Sequence, residues 1–355
     1  MPFNTPFYLT IEYFLMKNVL FALLILELLL SNCSNKKNYL RFKVEENVEC
    51  IPIPYPDILG ISMQLLKEDS LLLINDFRGD SLIDVFDLKT QSILKKMIPV
   101  GNGPNELISP LEIHLINNNL FVFCRQTGIM YAIPKDSLLE GNKSMRKKFQ
   151  VTSKTNFLYP LTDSLFVASG SFQKRYAFFN SLGHEISCFG EYPTYWYKEE
   201  ELPNEVRAMF HQTEFAKHPT APLFVTYSSH VLEIYRYDFS EYKASLIKSI
   251  PIGNYNYSFV DNKTMISTDK ENDVEKGIMS LGYSSKFIYI VYNPNKNSDK
   301  NKKIQIQIID WNGNPVKIMY FDKDITCLTI DEKEEKGYVI AKDPDDALMY
   351  FNLEE

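Results

Sequence analysis

Three arginines stand at matching places along this chain. Arg78, Arg125 and Arg175 each fall in the turn between two short β-rich runs. Lys174 flanks the third of them, and Lys342 closes a later run of the same kind. A guanidinium presents a planar fork of donors that matches carboxylate, sulfate or phosphate, and an ammonium adds a point charge. Such groups converging on one surface would make an anion site. The same residues can instead pair with Asp76, Asp80, Asp345 and Asp346 as salt bridges between neighbouring units. Surface charges commonly end that way. The spacing fits both readings.

A second stretch invites a phosphate reading: "GNGPNE", residues 101–106. A dinucleotide fingerprint needs a third glycine and a following helix, and neither is present. A P-loop needs Lys and Ser or Thr after its last glycine, where this chain has Pro104, Asn105 and Glu106. Pro104 has no N–H to offer a phosphate. Gly101 and Gly103 permit unusual φ and Pro104 stiffens the bend, so Gly101, Gly103, Pro104 and Glu106 read as a structural turn. No nucleophile elbow and no paired-histidine zinc motif accompanies the 5 histidines. His218-Pro219 reads as a strand start and His230 as part of a polar turn. The acid clusters at 269–277 and 343–347 lack the calcium-loop spacing. No catalytic residue, metal ligand or cofactor is assigned.

Composition narrows the class. The chain has 355 residues, 45% of them hydrophobic and 23% charged, which is ordinary for a globular protein. A net charge of −7 excludes a global basic footprint for nucleic acid. The content of 24 Phe and 22 Tyr favours strands.

What positions the arginines is a repeat. Pairs of short β-rich runs recur along the chain. The first members are "SLLLIND", "NLFVFCR", "SLFVASG", "PLFVTYS", "KFIYIVY" and "KGYVIAK". The second members include "LIDVFDL", "RYAFFNS" and "IQIQIID". A spacing of about 40 to 55 residues is that of a propeller array. One blade cannot bury both its faces, whereas blades packed in a ring can. Further apolar runs, such as the one after the hairpin signal Asn312-Gly313, supply outermost strands. The fold class is therefore all-β, a six-bladed β-propeller over 41–355. The early run "RFKVEENVECIPI" completes the last blade and closes the ring. Residues 199–215, flanked by prolines, form a helical excursion between blades three and four. The turn at 101–106 is the crossover from blade one to blade two.

The N-terminus reads as an export leader. Val19–Leu30 is an apolar run of signal-peptide length that ends at Leu30-Ser31-Asn32-Cys33. This is similar to a bacterial lipobox, although Asn32 replaces the usual small residue and Glu27 interrupts the apolar run. Residues 1–32 are expected to be a start-site extension and signal peptide, Cys33 the lipid-attachment site, and 33–40 a tether. The remaining cysteines, Cys50, Cys124, Cys188 and Cys327, are widely spaced, and no bridge is assigned.

The lipobox-like segment, the "GNGPNE" crossover, residues 218–235 and residues 288–313 resemble the TolB-like six-bladed propeller lipoproteins of Bacteroides-type bacteria. The resemblance implies a six-bladed fold and an outer-membrane lipoprotein, but no reaction. Lys36-Lys37 stand where surface-displayed relatives carry acids, which favours a periplasm-facing anchor. The expected function is a monomeric, non-catalytic binding module held to the membrane by its lipid. It would dock an envelope protein or an anionic glycan. The alternative is a propeller hydrolase or lyase acting on a glycan or lactone-type substrate. A histidine buried in the pore mouth beside a carboxylate would favour that alternative.

Overall fold

The computed structural model describes residues 40–353, apart from 109–110, 196–198, 254–257, 261–264, 268–272 and 343. The leader, Cys33, most of the tether and parts of both acid clusters lie outside the described residues.

Six antiparallel sheets follow one another along the chain. Blade one comprises Ser62–Glu68, Leu71–Asp76, Ser81–Asp87 and Ser92–Pro99, hydrogen-bonded in that order. Blade two runs Leu111–Ile116, Asn119–Cys124, Ile129–Pro134 and Arg146–Gln150. Blade three runs Thr155–Pro160, Leu165–Gly170, Tyr176–Asn180 and Glu185–Phe189. Blade four runs Glu214–Lys217, Leu223–Ser228, Val231–Asp238 and Lys243–Pro251. Blade five contains Gly277–Tyr283, Phe287–Asn293, Ile304–Asp310 and Pro315–Phe321. Blade six contains Asp324–Asp331, Lys336–Lys342 and Asp346–Asn352. The first strand of each blade packs against the first strands of its two neighbours, so these six strands surround the axis.

The ring closes as the sequence predicts, with an addition. Ile51–Pro52 pairs antiparallel with Asp346–Asn352 and gives blade six its fourth strand. Just before it, Glu45–Asn47 lies parallel to the outer strand of blade five. One N-terminal segment therefore ties two blades together. Inside the seam, Lys67 Nζ of blade one meets Asp331 Oδ2 of blade six at 2.6 Å, both side chains largely shielded from solvent. The Cys327 thiol adds a bond to the Ser62 carbonyl at 3.3 Å.

Burial follows strand position. The second and third strands are apolar on both faces because each blade is covered by a neighbour on either side, as in Leu165–Gly170, which is buried throughout. Outermost strands alternate or lie exposed, as in Ser92–Pro99. Aromatic residues fill the wedges between blades two, three and four. Phe166 stands edge-on to Phe121 at 5.7 Å and to Phe149 at 4.8 Å. Phe224 stacks on Tyr235 at 5.3 Å. Such pairs add to area burial by about 0.5–1.5 kcal/mol each. The four described cysteines are free thiols.

The excursion is helical but shorter than its composition suggests. A 3-10 turn at Glu199–Glu201 precedes one helix, Asn204–Phe210 (α1). The helix begins directly after Pro203 and runs for two turns. A second 3-10 stretch, Lys135–Ser144, sits between the third and fourth strands of blade two and carries no signal in the strand pattern. A two-stranded hairpin between blades four and five, Ser258–Val260 with Met265–Ser267, likewise has no counterpart in the repeat.

Candidate functional site

The innermost strands carry the chemistry. A cavity of about 470 Å³ lies on the axis, and all six blades line it. Blade two supplies Glu112 and His114, residues i and i+2 of one strand, whose side chains share a face. Blade three supplies Tyr159, blade four Glu214 and Tyr227, and blade five Tyr283. Blade one adds Ser62 and Gln64, and blade six Thr326 and Thr329.

Three of these side chains are left incompletely satisfied, and Ser62 Oγ makes no hydrogen bond among the described residues. Glu112 Oε2 accepts a bond from the Leu158 amide at 3.3 Å. Among the described residues Glu112 Oε1 has no hydrogen-bond partner, and neither has His114 Nε2. His114 Nε2 stands 3.7 Å from Glu112 Oε2, each side chain only 9% exposed. Arg125 Nε is 3.7 Å from Glu112 Oε1, too far for a hydrogen bond. Its guanidinium lies over the Phe157 ring, 4.0 Å from the centroid. Burial pushes the Glu112 carboxyl up to about 8 against the pull of Arg125. Burial pulls the His114 imidazole down to about 3, opposed by the Glu214 charge. Glu214 is also raised by burial, although the Tyr227 hydroxyl donates to it at 2.7 Å. Tyr159 packs tilted against His114, with ring centroids 4.5 Å apart, and accepts the Lys217 amide at 3.1 Å. Burial thus favours a neutral imidazole and a protonated carboxyl side by side at neutral pH.

Of the residues singled out by the arginine pattern, Arg125 alone reaches this site. Arg175 is 1% exposed and pairs with Glu233 of blade four, Nη1 to Oε2 at 3.1 Å. Its Nη2 donates to Thr213 Oγ1 at 3.3 Å. Glu233 also accepts from the hydroxyls of Tyr235 at 3.0 Å and Tyr176 at 3.2 Å. This is a buried bridge between blades, with a glutamate where the sequence suggested aspartates. Arg125 is engaged with Glu112 and Phe157. Lys174 pairs at the surface with Glu191 at 2.5 Å. Arg78 and Lys342 are exposed. Asp76 does not pair with Arg78 through its side chain. Its carboxylate instead accepts the amides of Gly60 at 2.7 Å, Ile61 at 3.0 Å and Arg78 at 2.9 Å.

The crossover is wrapped around one carboxylate. Gly101 N donates to the Leu107 carbonyl at 3.1 Å, and Leu107 N returns a bond to Pro99 at 3.1 Å. Glu106 Oε2 accepts the Gly103 amide at 2.8 Å. A Cβ on Gly101, at φ +157°, would lie 2.0 Å from that oxygen. The Glu106 carboxylate therefore occupies the inside of its own loop. His218 does not start a strand. It follows Glu214–Lys217 and holds a turn, its Nδ1 accepting the amides of Thr220 at 3.1 Å and Ala221 at 2.9 Å.

These contacts set two expected outcomes. Removing one partner of a buried ion pair leaves the other charge uncompensated, so Arg175→Ala should lower stability by about 3–5 kcal/mol. Arg78→Ala at the exposed turn should change it by less than about 0.5 kcal/mol. Urea unfolding of both variants measures this, and equal midpoints would remove the structural role given to Arg175. The cavity also sets a pH response. Glu112 is raised from 4.5 to about 8, so its stabilising contribution is complete below 4.5 and is lost as pH rises through 8. His114 is lowered from 6.5 to about 3, so its contribution is complete above 6.5 and is lost as pH falls toward 3. Glu112→Gln should therefore gain stability over wild type at about pH 9 and little at about pH 5. Thermal unfolding at both values checks it, and an equal gain at each would show that Glu112 does not titrate in this range.

A family model described as TolB-like 6-blade propeller-like matches residues 43–333. No curated protein matches the chain significantly. Among solved structures, an exported protein of Bacteroides fragilis superposes with a TM-score of 0.50 at 14% identity, covering 87% of this chain and 98% of its own. A member of the DUF4221 family from Bacteroides vulgatus superposes with a TM-score of 0.51 at 12% identity, covering 89% of this chain and 98% of its own. With its six closed blades and a model match over most of its length, the chain belongs to the TolB-like six-blade propeller family.

Proposed function

We propose that this propeller is a non-catalytic binding module whose ligand enters the axial cavity. The observation that carries the reading is three buried atoms of residues lining that cavity, Ser62 Oγ, Glu112 Oε1 and His114 Nε2, which have no hydrogen-bond partner among the described residues. A buried polar atom left unpaired opposes folding by about 1–3 kcal/mol, and a ligand that supplied the missing bonds would recover it. The volume falls in the range of small-molecule sites. An anionic glycan on the arginine face has less support, because Arg125 and Arg175 are both directed at glutamates.

The placement that accompanies this reading is the periplasmic side of the outer membrane, with Cys33 lipidated. Its support is the lipobox-like leader and the description of a structural neighbour as exported. Cys33→Ala should move the protein from the membrane to the soluble fraction of the cell envelope. Equal partition of both forms would remove the lipid anchor from the proposal.

One observation favours an enzyme as second reading. His114 is a buried histidine beside a carboxylate on the axis, the arrangement expected of a propeller hydrolase or lyase. A single experiment separates the two. The protein is dialysed against a small-molecule extract, and retained compounds are followed by mass spectrometry over time. For a binding module, a compound is retained unchanged by wild type and lost from Ser280→Phe, which narrows the cavity. For an enzyme, the compound is consumed, and consumption stops in His114→Ala. Equal retention by wild type and Ser280→Phe would place binding elsewhere on the propeller.

A further inference from the structure

If the cavity is the binding site, as proposed above, the chemistry of its lining specifies the class of ligand. Glu68, Glu112, Glu214 and Glu332 line it against one ammonium, Lys67. Lys67 is committed to Asp331 at 2.6 Å. Glu68 is paired with Lys135, and Glu332 accepts the Ser285 amide at 3.0 Å. Glu332 is also exposed, so Glu112 and Glu214 remain as the shielded acids with no full counter-charge. They reach the axis from blades two and four. Glu214 accepts one hydroxyl, and Glu112 keeps one oxygen with none. The aromatic side chains of Tyr159, Phe215, Tyr227 and Tyr283 line the same space.

We infer that the axial cavity binds a small organic cation, an amine or a quaternary ammonium, between the Glu112 and Glu214 carboxylates. A carboxylate in a shielded site is stabilised by a counter-charge it lacks in the empty protein. Aromatic faces attract weakly hydrated cations through their quadrupole. The volume holds an organic body as well as a charged head. A metal ion is less well matched: among the described residues no three His, Cys, Asp or Glu side chains group closely enough to hold one.

The groups facing Glu112 are Arg125 and His114 on its own blade, Tyr159 of blade three, and Glu214 and Tyr227 of blade four. Only Arg125 competes as a cation, and its guanidinium is drawn over Phe157. The Glu112 carboxyl titrates near 8, so a cation binds with release of a proton below that value and gains affinity as pH rises through it.

The test uses the full propeller chain and two probes of nearly equal shape: choline, and dimethylbutanol, its uncharged carbon isostere. Titration calorimetry should show choline binding to wild type, with the isostere at least about tenfold weaker. Glu112→Gln and Glu214→Gln should each weaken choline by about tenfold or more while leaving the isostere unchanged. Either variant suffices if the other fails to fold. At about pH 7 the binding heat should vary with the ionisation heat of the buffer, which reports the released proton. Equal binding of both probes, or choline affinity indifferent to both glutamine variants, overturns the cation while leaving the cavity as a site for a neutral ligand. If choline does not bind wild type at millimolar concentration, the cation falls. The dialysis comparison of wild type with Ser280→Phe then decides the cavity separately.

Discussion

A ring of β-blades is stable only when it closes, and closure here is the constraint on which everything else depends. An open array would leave the apolar faces of its first and last blades in water. It would also expose their innermost strands. The N-terminal segment prevents this by completing blade six with Ile51–Pro52 while Glu45–Asn47 lies along blade five. The Lys67–Asp331 pair then joins the first inner strand to the last at the axis. Desolvated charges of this kind add little net stability, but they discriminate strongly against a misaligned seam, where either charge would be buried alone. Closure also creates the cavity. Inner strands from six directions cannot fill their common centre with side chains of ordinary size.

The same geometry explains what is legible in the sequence. The repeated runs are conspicuous because they are mostly second and third strands, buried on both faces and rich in β-branched and aromatic residues. "SLLLIND" contains Leu71–Asp76, and "LIDVFDL" overlaps Ser81–Asp87. Innermost strands obey a weaker rule, since one face meets a neighbour and the other meets the cavity. Glu112 and His114 in "LEIHLI" are polar residues two apart in an otherwise apolar strand. That alternation is the one signal of the site in the sequence, and it matches no motif of catalytic spacing. The excursion is legible because prolines and helix formers are local signals. Its length is not, because Pro203 delays the helix and His211 ends it.

The arginines show where a one-dimensional pattern stops. Corresponding turns place Arg78, Arg125 and Arg175 at corresponding points of successive blades, as the repeat requires. Side-chain direction is then set by partners far along the chain. Glu233, 58 residues beyond Arg175, takes that guanidinium into the interior. Glu112 and the Phe157 face hold Arg125. Arg78, with no ion pair among the described residues, is exposed. Equivalent positions in a repeat therefore share a backbone location without sharing an environment.

The contrast between the two buried glutamates locates function more sharply than fold does. Glu233 is surrounded by Arg175, Tyr176, Tyr235 and Ser249, and its acceptor positions are used. Glu112 is equally shielded, yet one oxygen has no donor and its nearest guanidinium stands off at 3.7 Å. Between blades three and four both oxygens of Glu233 meet donors, although Arg175 Nε and Nη1 make no hydrogen bond there. On the axis it is the glutamate itself that keeps an unmet oxygen, beside a histidine and a serine that are unmet as well. Stability alone would favour an apolar residue at Glu112, because a well-packed hydrophobic substitute avoids desolvating a charge. A carboxyl group kept there, facing an open volume lined by every blade, is best accounted for by a partner that arrives from outside.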